Sequence, residues 1–221
     1  MRSLHRTGVL ACRCLLVVLT SFASTPSAQS AGADEAQDTP EIDAIWHVQS
    51  LPFSFRGRHV LYGCTSFQKK LHSILVAVGA DPSVIIQTSC TPTAITDRIA
   101  VRIALATPVE ATPENIAAAT SFDSKRELLA RLQKTPLPTP SAIEKFRARM
   151  RSITLEDSGE LQLEPSDCEL LIALTDQVFP KLNVEVEKNM LFCTEAVART
   201  PQLKVRALFH VDDDIDTSRG K

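Results

Sequence analysis

Glycine is scarce: the 221-residue chain has seven. There is no Gly-x-Ser-x-Gly elbow, no phosphate-binding glycine loop and no His-Glu-x-x-His helix. A Cys-x-x-Cys redox pair is also missing. Neither sign of charge dominates, with 24 Lys and Arg against 26 Asp and Glu. Removing a leader of 23 residues would take away three arginines and no acids, moving the formal charge from −2 to about −5. That balance argues against nucleic acid or an anionic membrane surface as the main partner. The one concentrated apolar run, Leu15 to Ala23, is too short to span a bilayer. These absences leave no catalytic constellation, no cofactor motif and no metal set. They favour a non-enzymatic protein that is not integral to a membrane.

What the chain does have is a cysteine pattern. Beyond the leader, Cys64 is followed by Cys90 and Cys168 by Cys193, at spacings of 26 and 25 residues. Apolar residues recur at matching offsets from Cys64 and Cys168. Phe67 matches Leu171, Ile74 matches Val178, Leu75 matches Phe179 and Val78 matches Leu182. Those offsets form one stripe on a 3.6-residue helix. Gly79 and Asn183 follow, the two residue types that best tolerate a left-handed helix end. Pro180 is expected to kink or shorten the second helix.

Short branched runs, Val84 to Ile86 and Val184 to Val186, read as strands. Period-two alternation then marks Ile99 to Leu105 and Leu203 to Phe209 as strands with one buried face. Extended stretches are expected upstream at Pro52 to Arg56 and Ser152 to Glu156. Thr65-to-Gln68 and Ser166-to-Glu169 read as capping boxes at the two helix starts. Each half thus reads strand, helix, strand, strand. The fold class is α+β, with duplicated β-α-β-β units, ferredoxin-like halves, and helices on one face of an antiparallel or mixed sheet.

The expected organisation is a signal peptide at 1–23, a disordered tether at 24–43 and a first repeat at 44–107. A proline-punctuated helical connector covers 108–147, a second repeat 148–210 and an acidic tail 211–221. In the connector, Thr112-Pro113-Glu114 reads as a helix start. Ser124-to-Glu127 and Ser141-to-Glu144 are further capping boxes, and Leu128, Leu129 and Leu132 lie on one helical face. The tail aspartates lack the glycine and glutamate of a calcium loop. The two repeats are expected to merge into one body, because each alone would be marginal.

A signal and an even cysteine count point to disulfides and to a periplasmic or secreted location. A helix that begins where the first strand ends, and a parallel second strand that finishes at the same edge, favour Cys64 with Cys90 and Cys168 with Cys193. A Cys64–Cys168 bridge across the halves is the alternative. A cysteine at a helix N-terminus is also a candidate thiolate. His59 precedes Cys64 by five residues, and a turn histidine is the simpler reading. His72 lies too far along the helix to be a co-ligand.

Tyr62-Gly63-Cys64-Thr65-Ser66-Phe67 with Leu71, Leu75 and Gly79 resembles the heavy-metal-associated domain pattern. That family needs a second cysteine where Phe67 and Leu171 stand, so the resemblance implies the fold and not metal capture. Trp46, Phe53-Ser54-Phe55, Tyr62-Gly63-Cys64 and Ser166 to Leu171 together resemble a group of exported proteobacterial proteins of unknown function. That resemblance, over about residues 44 to 210, implies a periplasmic or secreted bacterial protein and assigns no catalytic residue.

Arg102 and Arg206, aligned by distance from the first cysteine, stand opposite the apolar face of their strands. With Lys204 they form an expected basic sheet face for a protein or small ligand. The expected function is an exported binding or assembly protein without a cofactor. The alternative is a thiol- or metal-handling protein using Cys64.

Overall fold

Alternation decides the strands. Between residues 98 and 106, Ile99, Val101, Ile103 and Leu105 are buried while Arg98, Ala100 and Arg102 are exposed. Leu203, Val205, Ala207 and Phe209 repeat the pattern near the C-terminal end. Both are half-buried strands of period two. The computed structural model describes residues 39–156, 161–193 and 200–211. The leader, residues 24–38 of the expected tether and the acidic tail beyond Val211 lie outside the described residues, and the tether's last two residues, Ile42 and Asp43, are corrected to strand, since they pair with a later strand at Ala148 and Arg147.

In chain order the elements are β1 (Ile42–Arg56), β2 (Tyr62–Gly63), α1 (Cys64–Ala77), β3 (Ile85–Thr88), β4 (Ile95–Thr96) and β5 (Arg98–Glu110). Then follow α2 (Pro113–Ala119), α3 (Ser124–Gln133), β6 (Phe146–Leu155), α4 (Cys168–Gln177), β7 (Glu185–Met190) and β8 (Gln202–His210). The protein is α+β. One six-stranded sheet runs β3-β5-β1-β6-β8-β7, with every neighbouring pair antiparallel. β2 and β4 form a separate two-stranded ribbon.

The sheet has a narrow waist. β1 and β5 pair over thirteen positions, from Ala44–Glu110 to Arg56–Arg98. β1 and β6 pair over three: Ile42–Ala148, Asp43–Arg147 and Ala44–Phe146. That short register reads the same from either strand. A shift of 104 residues turns Ile42–Ala148 into Phe146–Ala44 and maps Asp43–Arg147 onto itself. Beyond the waist, the long edge of β1 is closed by helix side chains. The Gln177 amide both accepts from Ser54 N (3.2 Å) and donates to Ser54 O (3.1 Å), as a neighbouring strand would.

The helical stripes fill one shared core. Phe67, Leu71, Ile74 and Leu75 of α1 belong to the same buried cluster as Leu170, Leu171 and Leu174 of α4, with strand residues from both halves. Both helical stretches end in the left-handed region, at Gly79 (φ 92°) and Asn183 (φ 55°). Pro180 does shorten the second: α4 stops at Gln177, and a 3₁₀ turn, Phe179–Leu182, carries the chain to Asn183.

The expected helix caps at the two cysteines are corrected. α1 starts after Gly63 with no side-chain cap, and Thr65 Oγ1 donates to Pro92 O (3.1 Å) instead. The reciprocal capping box sits two residues upstream of the one expected. Glu164 and Asp167 bracket a 3₁₀ turn, Pro165–Asp167, and α4 follows it directly. Glu169 is drawn away to accept from Arg58 N and His59 N (2.6 and 3.1 Å).

In the connector, Thr112 caps α2 through Asn115 N with Pro113 at the first turn. Asp123, one residue before the expected cap, accepts from Arg126 N at the start of α3. No α-helix starts at Ser141, where Pro140–Ala142 is a single 3₁₀ turn. The leucines of α3 are exposed, so this helix contributes nothing to the core.

Candidate functional site

Cys64 and Cys168 are the first residues of α1 and α4, and both are buried. Each is bonded within its own half, Cys64 to Cys90 and Cys168 to Cys193, with Cα–Cα distances of 6.2 and 5.5 Å. The topology explains the choice. β1 and β3 both run antiparallel to β5, which lies between them, so they are parallel and finish at the same edge. The helix begins at that edge, and its first residue meets the segment after β3. β6, α4 and β7 repeat the geometry around β8. Sulfur chemistry at Cys64 would require opening this bond. Phe67 and Leu171, at the positions where a second thiol would be needed, are core residues. Among the described residues, no group of three or more His, Cys, Asp or Glu is placed to hold a metal ion.

A buried polar knot joins the two halves. Asp167 is fully buried, and three groups from different segments meet its carboxylate. The Tyr62 hydroxyl donates to Oδ1 at 2.7 Å, Lys70 Nζ lies 2.9 Å from Oδ2, and Glu164 N donates to Oδ2 at 2.8 Å. Lys70 also donates to the Gln162 carbonyl. Burial, and then the hydrogen bond to Asp167, pushes the Tyr62 phenol well above its ordinary value near 10. All of these groups are satisfied, which fits a lock better than a reacting centre. Sequence reasoning missed it. Tyr62 and Asp167 are 105 residues apart, and only their flanking of the two cysteines linked them beforehand.

At the waist lies an aromatic cluster. Trp46 of β1, Phe146 of β6 and His210 of β8 have ring centroids 4.9, 4.6 and 6.1 Å apart around the triangle. All three are half-buried. They share a strand parity with Val48, Pro52 and Arg102, the side of β1 and β5 opposite Phe53, Phe55 and Val101. Val48 is 65% exposed.

The expected basic face is corrected by the strand register. Arg102 stands opposite Pro52, whereas Arg206 stands opposite Ser152. Through the Ile42–Ala148 pair, those positions differ by about fourteen residues along the strands, roughly 45 Å of rise. The positional counterpart of Arg206 is Ala106, since the 104-residue shift carries Val48 onto Ser152 and Val48 pairs with Ala106. Lys204 lies 3.5 Å from Glu187. The Ser152 hydroxyl, followed by the charges of Lys204 and Arg206, holds the Glu187 carboxyl below its usual range. The three cations therefore do not form one patch, and two of them are balanced by an acid.

His59 sits in the turn that Glu169 holds through backbone amides. His72 Nε2 is 3.1 Å from Pro82 O. Neither approaches a catalytic arrangement with Cys64, whose sulfur is committed to Cys90. No helix of the described residues is long and apolar enough to cross a membrane. No family model, no curated protein and no solved structure matches this chain.

Proposed function

We propose that this chain is an exported, non-enzymatic binding or assembly protein of the bacterial periplasm or exterior. Its body is a duplication of two ferredoxin-like β-α-β-β units, fused through β1 and β6. Two disulfides and the leader-like N-terminus support export. The mirrored strand order and the self-complementary waist support duplication.

The observation that carries the binding reading is the Trp46–Phe146–His210 cluster beside exposed Val48. Half-buried aromatic rings on a sheet face are the anchors that protein interfaces favour. The contact surface is this central strip, and the partner is a protein. A photo-crosslinking residue at Val48, in cells exporting the full chain, tests it against a control at exposed Glu114 of α2. Position 48 should give one discrete adduct that Trp46→Ala abolishes. The same adducts from both positions would sink the reading.

A further inference from the structure

Charge is nearly balanced over the whole chain but not along α3. Between Ser124 and Lys134 stand four cations, Lys125, Arg126, Arg131 and Lys134, and one acid, Glu127. An isolated helix of ten residues is marginal in water. Both ends of this one are closed locally. Asp123 accepts from Arg126 N (2.7 Å), and Thr135 N donates to Ala130 O (3.0 Å) across a left-handed Lys134. Neither closure uses the leucines.

Leu128, Leu129 and Leu132 are 57%, 44% and 70% exposed. At about 100° per residue they span an arc of about 100° on the helix. Arg131 lies about 60° beyond one edge of that arc, and Arg126 about 60° beyond the other. Lys125 falls within the arc, one turn before the first two leucines, and its long stem can carry the ammonium to either side. Glu127 and Ala130 are on the far side. There the chain folds back, and the cleft between α3 and residues 135–137 is lined by Glu127, Ala130 and Arg131. Among the described residues, Lys125 and Arg131 are in no ion pair. The Arg126 guanidinium lies over the Phe122 ring, 4.7 Å from its centroid.

We propose that α3 lies in the surface of an anionic phospholipid bilayer. Its leucines enter the acyl boundary, and Lys125, Arg126 and Arg131 meet lipid phosphates at the rim. At about 15 Å the helix is too short to cross, so the contact is peripheral. A second copy of the chain fits the stripe poorly, because both flanks are cationic and self-pairing would bring like charges together. Three leucines bury too little to anchor the protein alone, so attachment needs the cations and is reversible. No waist residue takes part, so vesicle binding and crosslinking at Val48 succeed or fail independently.

The test is co-sedimentation of the disulfide-intact protein with vesicles of equal parts phosphatidylglycerol and phosphatidylcholine, and with vesicles of phosphatidylcholine alone. Binding should be saturable, about ten-fold tighter to the anionic vesicles, and lost at about 0.5 M salt. Leu128→Ser with Leu132→Ser should keep the Tm, since both side chains are exposed, and abolish sedimentation. Lys125→Gln with Arg131→Gln should weaken binding several-fold and erase most of the preference for anionic lipid. Leu61→Ser with Ile95→Ser, which removes exposed apolar side chains elsewhere, should leave binding unchanged. Equal binding to both vesicles, unchanged binding by the Leu128 and Leu132 variant, or an equal loss in the Leu61 and Ile95 variant would overturn the proposal. So would a failure of the unaltered protein to bind at all, which would leave an acidic protein groove as the occupant of the stripe.

Discussion

In the N-terminal half, α1 begins at a bare glycine, and rings hold it in place. Phe53, Phe55, Tyr62 and Phe67 stack around its first turns at centroid distances of 5.3 to 6.4 Å. In the C-terminal half, α4 has no such cluster among the described residues. It begins after a 3₁₀ turn whose Glu164 and Asp167 satisfy each other's backbone amides. Apolar packing fixes one helix start and polar capping the other, on the same strand order with the same staple. The contrast is not independence, because the Asp167 cap is completed by Tyr62 and Lys70 from the first half. One half thus lends side chains to the other's weak point.

The sharpest way to break this comparison is Asp167→Ala. It strands a lysine ammonium and a buried phenol from the opposite half, with an expected loss of about 3–5 kcal/mol in urea unfolding. A loss no greater than that of an ordinary surface substitution would mean the halves are not coupled there.

Removing one staple compares the halves directly. Cys64→Ala with Cys90→Ala, and Cys168→Ala with Cys193→Ala, open loops of 26 and 25 residues. Each should cost about 3–4 kcal/mol by chain entropy. A wide gap between the two double variants, read from denaturant midpoints, would show that their native or unfolded states differ in ways loop length does not capture.

The helix ends should respond unequally. At Gly79 an added Cβ would lie 2.7 Å from the Leu208 carbonyl oxygen, at a φ of +92°. Gly79→Ala should cost about 1–3 kcal/mol. Asn183→Gly, at a residue already left-handed, should stay within about 1 kcal/mol. Thermal unfolding of both variants measures the difference.

The smallest effect is a pH slope. The Tyr62 phenol is raised in the folded state, so below pH 10 folded and unfolded chains both keep its proton. Above that only the folded chain does, and stability should fall as pH rises, by about 1.4 kcal/mol per pH unit. Tyr62→Phe should remove that slope between pH 9 and 11. An unchanged slope in the variant would assign it to other groups.

The alternating strands, the helical stripes and the left-handed stops at Gly79 and Asn183 were legible because each depends on local spacing. The staples were legible because topology brings both ends of a strand-helix-strand unit to one edge. What escaped depended on register or on distant partners. Arg102 and Arg206 look equivalent when counted from their cysteines, yet pairing with β1 and β6 shifts the correspondence by four residues. The shift is even, so side-chain alternation gave no warning of it. Glu169 looked like a cap, but amides 110 residues away compete for its carboxylate. The aromatic cluster gathers three strands that meet only at the waist. The leucines of α3 had the correct phase and no surface to meet.

The waist has one further consequence. A three-pair junction unchanged by exchanging its strands is isologous, the geometry of a two-fold dimer contact. On the proposed duplication, a single ancestral unit would have carried at its first strand the edge needed to pair with its own copy. Fusing two copies would have turned that association from one governed by concentration into one held within a single chain.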